Sequence, residues 1–337
     1  MISTSSHWRS DGNKPFLLLP AGKDYLWGGS RLNDDFSKGI DMSPLAESWE
    51  CSTHPNGMST IGSGLYFGRF LKEILLERPE YLGKHSMQKG DLPVLIKLID
   101  AKKDLSVQVH PDDEYAKLYE SGQNGKTEFW YILDATKNAH IIYGFHHECT
   151  KTTIENSVSD GTLEYYLQKI PVKRDDVFLI ESGTVHAIGA GTLVAEIQQS
   201  SDLTYRLYDY NRLDNNGKKR ELHIQKALDV ADLHAAPEPQ QPMRVLKYSP
   251  GCAIELLERC RYFQVERMLI NTERIRKMVT FQTDDLSFRV LLCIGGCGSI
   301  SFANDSLNVF KGDCIFVPAN SVEIKIHGKM QLLSVSC

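Results

Sequence analysis

Short runs of aliphatic and aromatic residues, separated by turn-forming residues, dominate most of the chain. Several runs have the composition and length of β-strands: 92–99, 106–109, 129–133, 177–180, 193–197 and 204–208. Helical spacing of apolar residues is confined to patches at 70–76, 112–120, 152–167 (in pieces) and 221–232. Because strands predominate and helices come between them, the pattern predicts an antiparallel barrel or sandwich rather than a parallel α/β sheet.

A proline-rich segment, PEPQQP at 237–242, marks the clearest linker in the chain. Beyond it, turns such as GGCG, ANDS, KGD and PAN separate predicted strands at 288–294, 298–302, 306–310, 314–317, 322–326 and 330–335. We therefore predict the following organisation: a flexible N-terminus over 1–13, a main domain over 14–235, a linker over 236–242 and a smaller β domain over 243–337.

Composition and charge narrow the possible functions. The 337 residues are 42% hydrophobic and 24% charged, which is ordinary for a globular protein. With 38 Lys and Arg against 43 Asp and Glu, the formal charge is -5. No basic excess favours a nucleic-acid partner, although a local basic cluster can still bind a small anion.

Targeting signals and cysteine pairs are not evident in the sequence. No apolar run approaches the roughly 20 residues of a membrane-spanning helix, and the first residues do not resemble a secretory signal. The eight cysteines are scattered and form no CxxC motif. We expect a cytoplasmic protein with reduced thiols and no membrane association.

The most informative strand is LSVQVHPDD at 105–113. Ser106, Gln108 and His110 alternate with Val107 and Val109, so a polar face lies opposite an apolar face. Such a polar face often contacts solvent, and it can equally line a binding site.

Two later segments add further candidate ligands. Lys126 and Glu128 share a strand face with Trp130, and His186 follows a glycine turn. Alone, the first two would form a surface ion pair, and the histidine would be structural. Together with His110 and the nearby Gln108, Glu128 and His186 form the mixed nitrogen and oxygen donor set that zinc accepts, but spacing alone does not establish that these residues converge.

Arg206 is a candidate anion ligand. It alternates with Tyr205 and Leu207 in a predicted strand. If Thr204, Arg206 and Tyr208 face inward, the guanidinium can stabilise an anionic oxygen or a phosphate. If they face outward, Arg206 is a solvated surface residue.

These segments together resemble a known family. The matching stretches are WGGSRL (27–32), AESWECSTHPNG (46–57), LPVLIKLIDAKKDLSVQVHPDD (92–113), GKTEFWYILDA (125–135), SGTVHAIGAGTLVAEIQQSSDLTYRLYDYNR (182–212) and KRELHIQKALDV (219–230). In order and separation they resemble type I mannose-6-phosphate isomerases, also called phosphomannose isomerases, of the short bacterial kind. The resemblance is strong over 14–232. Beyond the linker it rests on a cupin-like rhythm of strands.

The resemblance implies a fold and a cofactor. It implies a mainly β protein, with a cupin jelly-roll barrel that carries helical insertions and a smaller cupin-like C-terminal domain. It also implies one zinc ion per chain, held by His110, Glu128 and His186, with Gln108 as the fourth ligand.

The resemblance further implies an activity in mannose and carbohydrate metabolism. The implied enzyme interconverts mannose 6-phosphate and fructose 6-phosphate through an enediol or enediolate. Arg206 and Lys126 are implied catalytic residues, and both, with Ser106, are implied to bind the phosphosugar. The general base stays open between Lys126, a carboxylate such as Glu196 or Asp202, and a metal-linked water.

Other functions remain compatible with the residues. One is a sugar-phosphate-binding cupin without turnover, and another is an iron cupin that uses dioxygen. The C-terminal part contains a single histidine, His327, so we expect it to be structural or to contact another subunit. A homo-oligomer is possible.

Overall fold

The computed structural model describes residues 13–213, 217–275 and 277–337. The predicted flexible segment 1–13 therefore lies outside the described residues, except for Asn13. The strands are β1 (Phe16–Leu19), β2 (Ala21–Lys23), β3 (Glu47–Cys51), β4 (Thr60–Ile61), β5 (Val94–Ala101), β6 (Val107–Val109), β7 (Glu128–Ala135), β8 (His140–Phe145), β9 (Leu167–Pro171), β10 (Val177–Ile180), β11 (His186–Ile188), β12 (Thr192–Gln199), β13 (Tyr205–Tyr208), β14 (Leu246–Ser249), β15 (Cys252–Arg259), β16 (Gln264–Asn271), β17 (Val279–Phe281), β18 (Arg289–Phe302), β19 (Asp305–Phe310), β20 (Cys314–Val317) and β21 (Ile324–Ser336).

Helices lie between the strands, as the sequence predicts. They are α1 (Arg31–Asp34), α2 (Leu71–Glu77), α3 (Asp113–Tyr119), α4 (Lys151–Asp160) and α5 (Ile224–Val230). The helical patch at 221–232 begins later than predicted because His223 is hydrogen-bonded to Arg206 of β13 through its backbone N–H (2.7 Å). The prediction of a mainly β protein is confirmed.

Two strands of the C-terminal part are longer than predicted. The runs at 288–294 and 298–302 form one strand, β18, and those at 322–326 and 330–335 form one strand, β21. Gly296 has a φ of 77° and lies just after a bulge between Cys293 and Gly295. Glycine adopts this left-handed conformation without strain, so the GGCG segment bends β18 instead of reversing it.

The chain forms two compact units. The barrel unit comprises Ala21–Trp49 and Val94–Met243. The C-terminal unit comprises the described residues up to Pro20, Glu50–Pro93 and Arg244–Cys337. One boundary between the units therefore directly follows the proline-rich segment. The predicted domain limits at 235 and 243 stay a prediction.

The barrel unit contains two antiparallel sheets. One has the strand order β10-β7-β12-β5-β3-β2, and the other has the order β13-β6-β11-β8-β9. Apolar side chains from both sheets share one buried cluster, which includes Ile99, Trp130, Ile132, Val194, Ile141 and Ile188. The two sheets therefore enclose a common interior.

Helices α4 and α5 cover the outer face of the five-stranded sheet. Val107 and Val109 of β6 belong to the same buried cluster as Ile154 of α4 and Leu228 of α5. Because side chains alternate along a strand, Gln108 of β6 is directed away from the helices. Packing of the helices thus determines which side chains enter the barrel.

The C-terminal unit is built around one large sheet with the order β14-β15-β16-β21-β18-β20-β1-β4. Strand β17 pairs with β21, and β19 pairs with β18. The eight cysteines, all within the described residues, form no disulfide bond. Among the described residues, no helix has the length and apolar character needed to cross a membrane.

Packing of the helices on the sheet predicts a difference between two leucines. Leu163 follows α4 and is fully buried, whereas Leu118 of α3 is 76% exposed. We expect Leu163→Ala to lower the free energy of unfolding by about 2–5 kcal/mol, and Leu118→Ala to change it by less than about 0.5 kcal/mol. Urea unfolding followed by tryptophan fluorescence measures both, because Trp27, Trp49 and Trp130 lie in the barrel unit. Equal effects of the two substitutions would contradict this packing.

Candidate active site

Three predicted ligands converge inside the barrel unit. His110 follows β6, Glu128 begins β7, and His186 begins β11. Nε2 of His110 lies 3.2 Å from Oε1 of Glu128, and Nε2 of His186 lies 3.7 Å from Oε2 of Glu128. Among the described residues, this is the only group of three or more His, Cys, Asp or Glu side chains with ligand atoms within 4.8 Å of one another.

Local backbone contacts explain this convergence. His186 is the register partner of Gln108, which places β11 beside β6. Lys126 N–H donates to the carbonyl of Pro111 at 3.0 Å. A Cβ on Gly125 would lie 2.4 Å from the backbone of Asp112, so only glycine permits this close approach. The segment before β7 is thereby held against the end of β6.

Burial favours the neutral form of both imidazoles. Burial and the charge of Lys126 lower the pKa of His110 to about 3, and burial also lowers the pKa of His186. Nδ1 of His186 lies 2.8 Å from the carbonyl oxygen of Thr184. Donation by this nitrogen leaves the lone pair of Nε2 free on the side of Glu128.

Glu128 is a buried carboxylate with no exposed side-chain surface. Burial alone would raise its pKa, but the ammonium group of Lys126, 2.7 Å away, and His110 lower it well below its usual range. Trp130 Nε1–H donates to Oε2 of Glu128 at 3.0 Å. One carboxylate and two neutral imidazoles are a donor set that divalent metal ions accept.

Gln108 and Lys126 lie next to this group. Nε2 of Gln108 is 3.4 Å from Nε2 of His186, and Nζ of Lys126 is 3.3 Å from Nε2 of His110. Both residues also line a cavity of about 270 Å³ within the barrel unit. The His110–Glu128–His186 group is therefore at the edge of a space that a small molecule can enter.

The cavity contains the other predicted site residues and several that the sequence did not single out. Ser106, Thr204 and Arg206 line it as expected from their alternation. Its charged lining residues are Glu47, Lys97, Lys126, Glu196, Asp202, Arg206 and Arg220. Lys97 lies within the apolar run LPVLIKLI, and a lysine in a fully buried strand is itself a signal of function or pairing.

Tyr208 does not follow Arg206 into the cavity. The register of β13 against β6 shifts between Arg206 and Tyr208. As a result Tyr208 joins the cluster on the helix-covered face, together with Tyr205 and Leu207. The bulge breaks the alternation that the sequence pattern assumes.

A buried network of contacts links Glu128 to Glu196, Lys97 and Glu47. Trp130 Nε1–H also donates to Oε2 of Glu196 at 2.9 Å. Lys97 Nζ lies 3.1 Å from Glu196 and 3.8 Å from Glu47. Burial and the negative charge of Glu128 raise the pKa of Glu196 to about 7, so this group exchanges a proton near neutral pH.

Comparison with known proteins agrees with the predicted family. The family model for the catalytic domain of type I phosphomannose isomerase matches residues 16–149, and that for the cupin domain of mannose-6-phosphate isomerase matches residues 253–337. Mannose-6-phosphate isomerase ManA of Bacillus subtilis is 37% identical over 94% of this chain and 96% of its own length. This chain belongs to the type I phosphomannose isomerase family.

Further comparisons support the same family. Mannose-6-phosphate isomerase of Streptococcus mutans is 34% identical over 95% of this chain and 98% of its own length. A crystal structure of the mannose 6-phosphate isomerase from Bacillus subtilis superposes with a TM-score of 0.86 and 36% identity, over 96% of this chain and 99% of that one. The predictions of a cupin fold and of a phosphomannose isomerase are confirmed.

The pairing of buried Lys97 with Glu47 and Glu196 predicts how two substitutions change the stability of this phosphomannose isomerase. Lys97→Met leaves Glu47 and Glu196 without their common cation, so we expect the free energy of unfolding to fall by about 3–5 kcal/mol. Lys97→Met/Glu196→Gln should recover part of that loss, since one of the two buried carboxylates is then uncharged. Urea unfolding of chelator-treated protein measures both variants. A Lys97→Met variant as stable as wild type would contradict the pairing of Lys97 with the two glutamates.

Proposed function

We propose that this chain is a zinc-dependent aldose–ketose isomerase that interconverts mannose 6-phosphate and fructose 6-phosphate through an enediol or enediolate. The observation that carries the proposal is the His110–Glu128–His186 group at the edge of a cavity lined by lysines and arginines. Relatives that share most of the chain's length are named mannose-6-phosphate isomerases.

The donor set supports a single divalent metal ion. His110, Glu128 and His186 would hold it, and Gln108, beside His186, would present its amide oxygen as the fourth ligand. Two neutral nitrogens, one carboxylate oxygen and one amide oxygen suit zinc. When bound, the ion supplies Lewis-acid stabilisation of the negative charge that develops on the sugar oxygens during enolisation.

Proton transfer requires a base that reaches the substrate carbons. Of the groups left open by the sequence, Glu196 has the best-supported position. It lines the cavity, Trp130 and Lys97 fix its carboxylate by contacts of 2.9 and 3.1 Å, and its pKa is about 7. A carboxylate that titrates near the working pH is suited to remove the proton from C2 and return it to C1.

Cationic and polar side chains would orient the phosphosugar. Arg206 would place a fixed positive charge near the anionic oxygens of the substrate. Lys126, which contacts both Glu128 and His110, and Ser106, which is buried at the cavity wall, would contact its hydroxyl or phosphate groups.

The first test of this function is the removal of metal. We expect the chain to turn over mannose 6-phosphate in a coupled assay, to lose this activity on chelation, and to recover it when zinc is added back. His110→Ala, Glu128→Ala and His186→Ala should each lose both bound metal and activity, because each removes one ligand. Elemental analysis of the purified variants gives the metal content independently of turnover.

One control variant and three alternative outcomes make this test decisive. His140→Ala removes a half-buried histidine of β8 that lies outside the group, so its metal content should equal that of wild type. Oxygen uptake in the presence of iron would favour a dioxygen-using cupin instead. Zinc-loaded protein that binds the phosphosugar without converting it would favour a non-catalytic cupin. Normal turnover by a metal-free variant would refute the zinc mechanism.

Arg206 gives a separate prediction. Because Arg206 contacts none of the three predicted metal ligands, Arg206→Ala should retain its metal and its fold. We expect kcat to fall by about 10²–10³, the loss typical of removing one fixed donor to a developing charge. Steady-state kinetics together with metal analysis measure the effect. A variant with kcat near that of wild type would exclude Arg206 from the reaction.

A further inference from the structure

The segment directly before β7 is held in place by side chains as well as by the backbone. The three residues that precede Glu128 are buried, and each of their N–H groups is hydrogen-bonded; they are Gly125, Lys126 and Thr127. The N–H of Gly125 donates to Oδ1 of Asp113 at 2.9 Å. The N–H of Thr127 donates to Oε1 of Gln199 at 2.9 Å. Two of the three acceptors are therefore side-chain atoms, and only the middle N–H donates to a backbone carbonyl.

Gln199 connects this segment to a second part of the barrel unit. It is the last residue of β12 and is 5% exposed. Its backbone N–H donates to the carbonyl of Thr127 at 3.1 Å, and its side-chain Nε2 donates to Oδ1 of Asp113 at 2.9 Å. The side-chain amide thus uses both its oxygen and its nitrogen, and it joins the start of β7 to the residues that follow β6.

Asp113 is the other half of this connection. It begins α3, three positions after His110. A single oxygen, Oδ1, accepts from both Gly125 and Gln199. Because the first donor is backbone and the second is a side chain from β12, this oxygen joins the chain after β6 to β7 and to β12.

The same region is linked to the third predicted metal ligand. The carbonyl of His110 accepts from the N–H of Gly183 at 2.9 Å, three positions before His186. The segments that carry His110, Glu128 and His186 are therefore tied to one another by hydrogen bonds of the backbone and of two side chains.

Asp113 and Gln199 themselves are outside the group of predicted ligands and do not line the cavity of about 270 Å³. Any influence on a bound ion must therefore act through the backbone that carries the ligands. Removing one of the two acceptors leaves a buried N–H without a partner, which costs free energy unless the backbone moves. Movement of this backbone displaces Glu128.

We propose that Asp113 and Gln199 are positioning residues for the metal site. They fix the backbone before Glu128 against the end of β6 and thereby set the distance between its carboxylate and His110. A metal ion requires its ligands to be held within about 0.5 Å of their productive positions. The inference rests on the proposed function for the identity of the ion, and it is independent of the identity of the sugar.

The experiment measures the zinc Kd of Gln199→Met by competition with a chromophoric chelator. Methionine has a similar length but neither accepts from Thr127 nor donates to Asp113. We expect the zinc Kd to rise by about 10- to 100-fold, the loss typical of removing a group that orients metal ligands. Cobalt(II) bound in place of zinc should show an altered visible absorption spectrum, because this spectrum depends on ligand geometry.

Two control variants separate positioning from a general loss of stability. Leu163→Ala removes a fully buried side chain of the same unit, and it should destabilise the protein without changing the zinc Kd. Gln225→Met is the same substitution at an exposed glutamine of α5, whose side chain donates to Glu155 at 2.9 Å. It should also leave the zinc Kd and the cobalt spectrum unchanged.

A second pair of variants keeps the inference testable if Gln199→Met does not fold. Gln199→Glu retains an acceptor for Thr127 but places a second carboxylate against Asp113, so it should also raise the zinc Kd. Gln199→Glu/Asp113→Asn removes this repulsion and supplies an amide donor. It should bind zinc more tightly than Gln199→Glu alone.

Three results would overturn the inference. They are a wild-type zinc Kd and cobalt spectrum in Gln199→Met, an equal rise of the zinc Kd in Leu163→Ala, and a double variant that binds zinc no better than Gln199→Glu. Wild-type protein that binds zinc but does not convert mannose 6-phosphate would refute the proposed function alone, because the zinc Kd values of the variants still decide the inference. Wild-type protein that binds no zinc would refute both.

Discussion

The buried carboxylate of Glu128 constrains the centre of the barrel unit more than any other group. A carboxylate removed from water costs several kcal/mol unless charges and hydrogen bonds compensate it. Here Lys126, Trp130 and two imidazoles surround it, and they come from both sheets. The sheets must therefore keep their relative position for the charge to remain satisfied, and that position creates a donor set suited to a cation.

The outer surface of the barrel contributes to the same geometry. Val107, Val109 and Leu207 pack in the cluster formed with α4 and α5. Since their neighbours Gln108 and Arg206 must point the other way, helices that contact no part of the cavity still decide which side chains line it. The bulge after Arg206 then ends this alternation and returns Tyr208 to the helix side.

Much of this arrangement was predictable from sequence, and the failures have physical causes. Alternation in 105–113 indicated the polar face of β6, and resemblance to a family indicated which histidines and glutamate meet. The bulge at Tyr208 was not predictable, because it depends on the register of a partner strand. Lys97 was overlooked because its apolar neighbours dominate the pattern of β5, although its charge in that run was a usable signal. Arg220 follows a turn and is separated from Asp209 by 11 positions in the sequence. Only the fold shows that the two side chains form an ion pair.

The distribution of charge in the cavity links these observations to recognition. A cavity of about 270 Å³ contains four cationic side chains, and protein carboxylates contact the two lysines directly. The arginines are paired differently: Arg220 and Arg212 share the single carboxylate of Asp209, and Arg206 donates to the backbone carbonyl of Glu221. These three arginines therefore have one carboxylate among their direct contacts, whereas Lys97 and Lys126 together contact three, so the arginines attract an anion more strongly than the lysines do. An anionic group of a bound substrate is therefore favoured beside the arginines and disfavoured beside the carboxylates of Glu47 and Glu196.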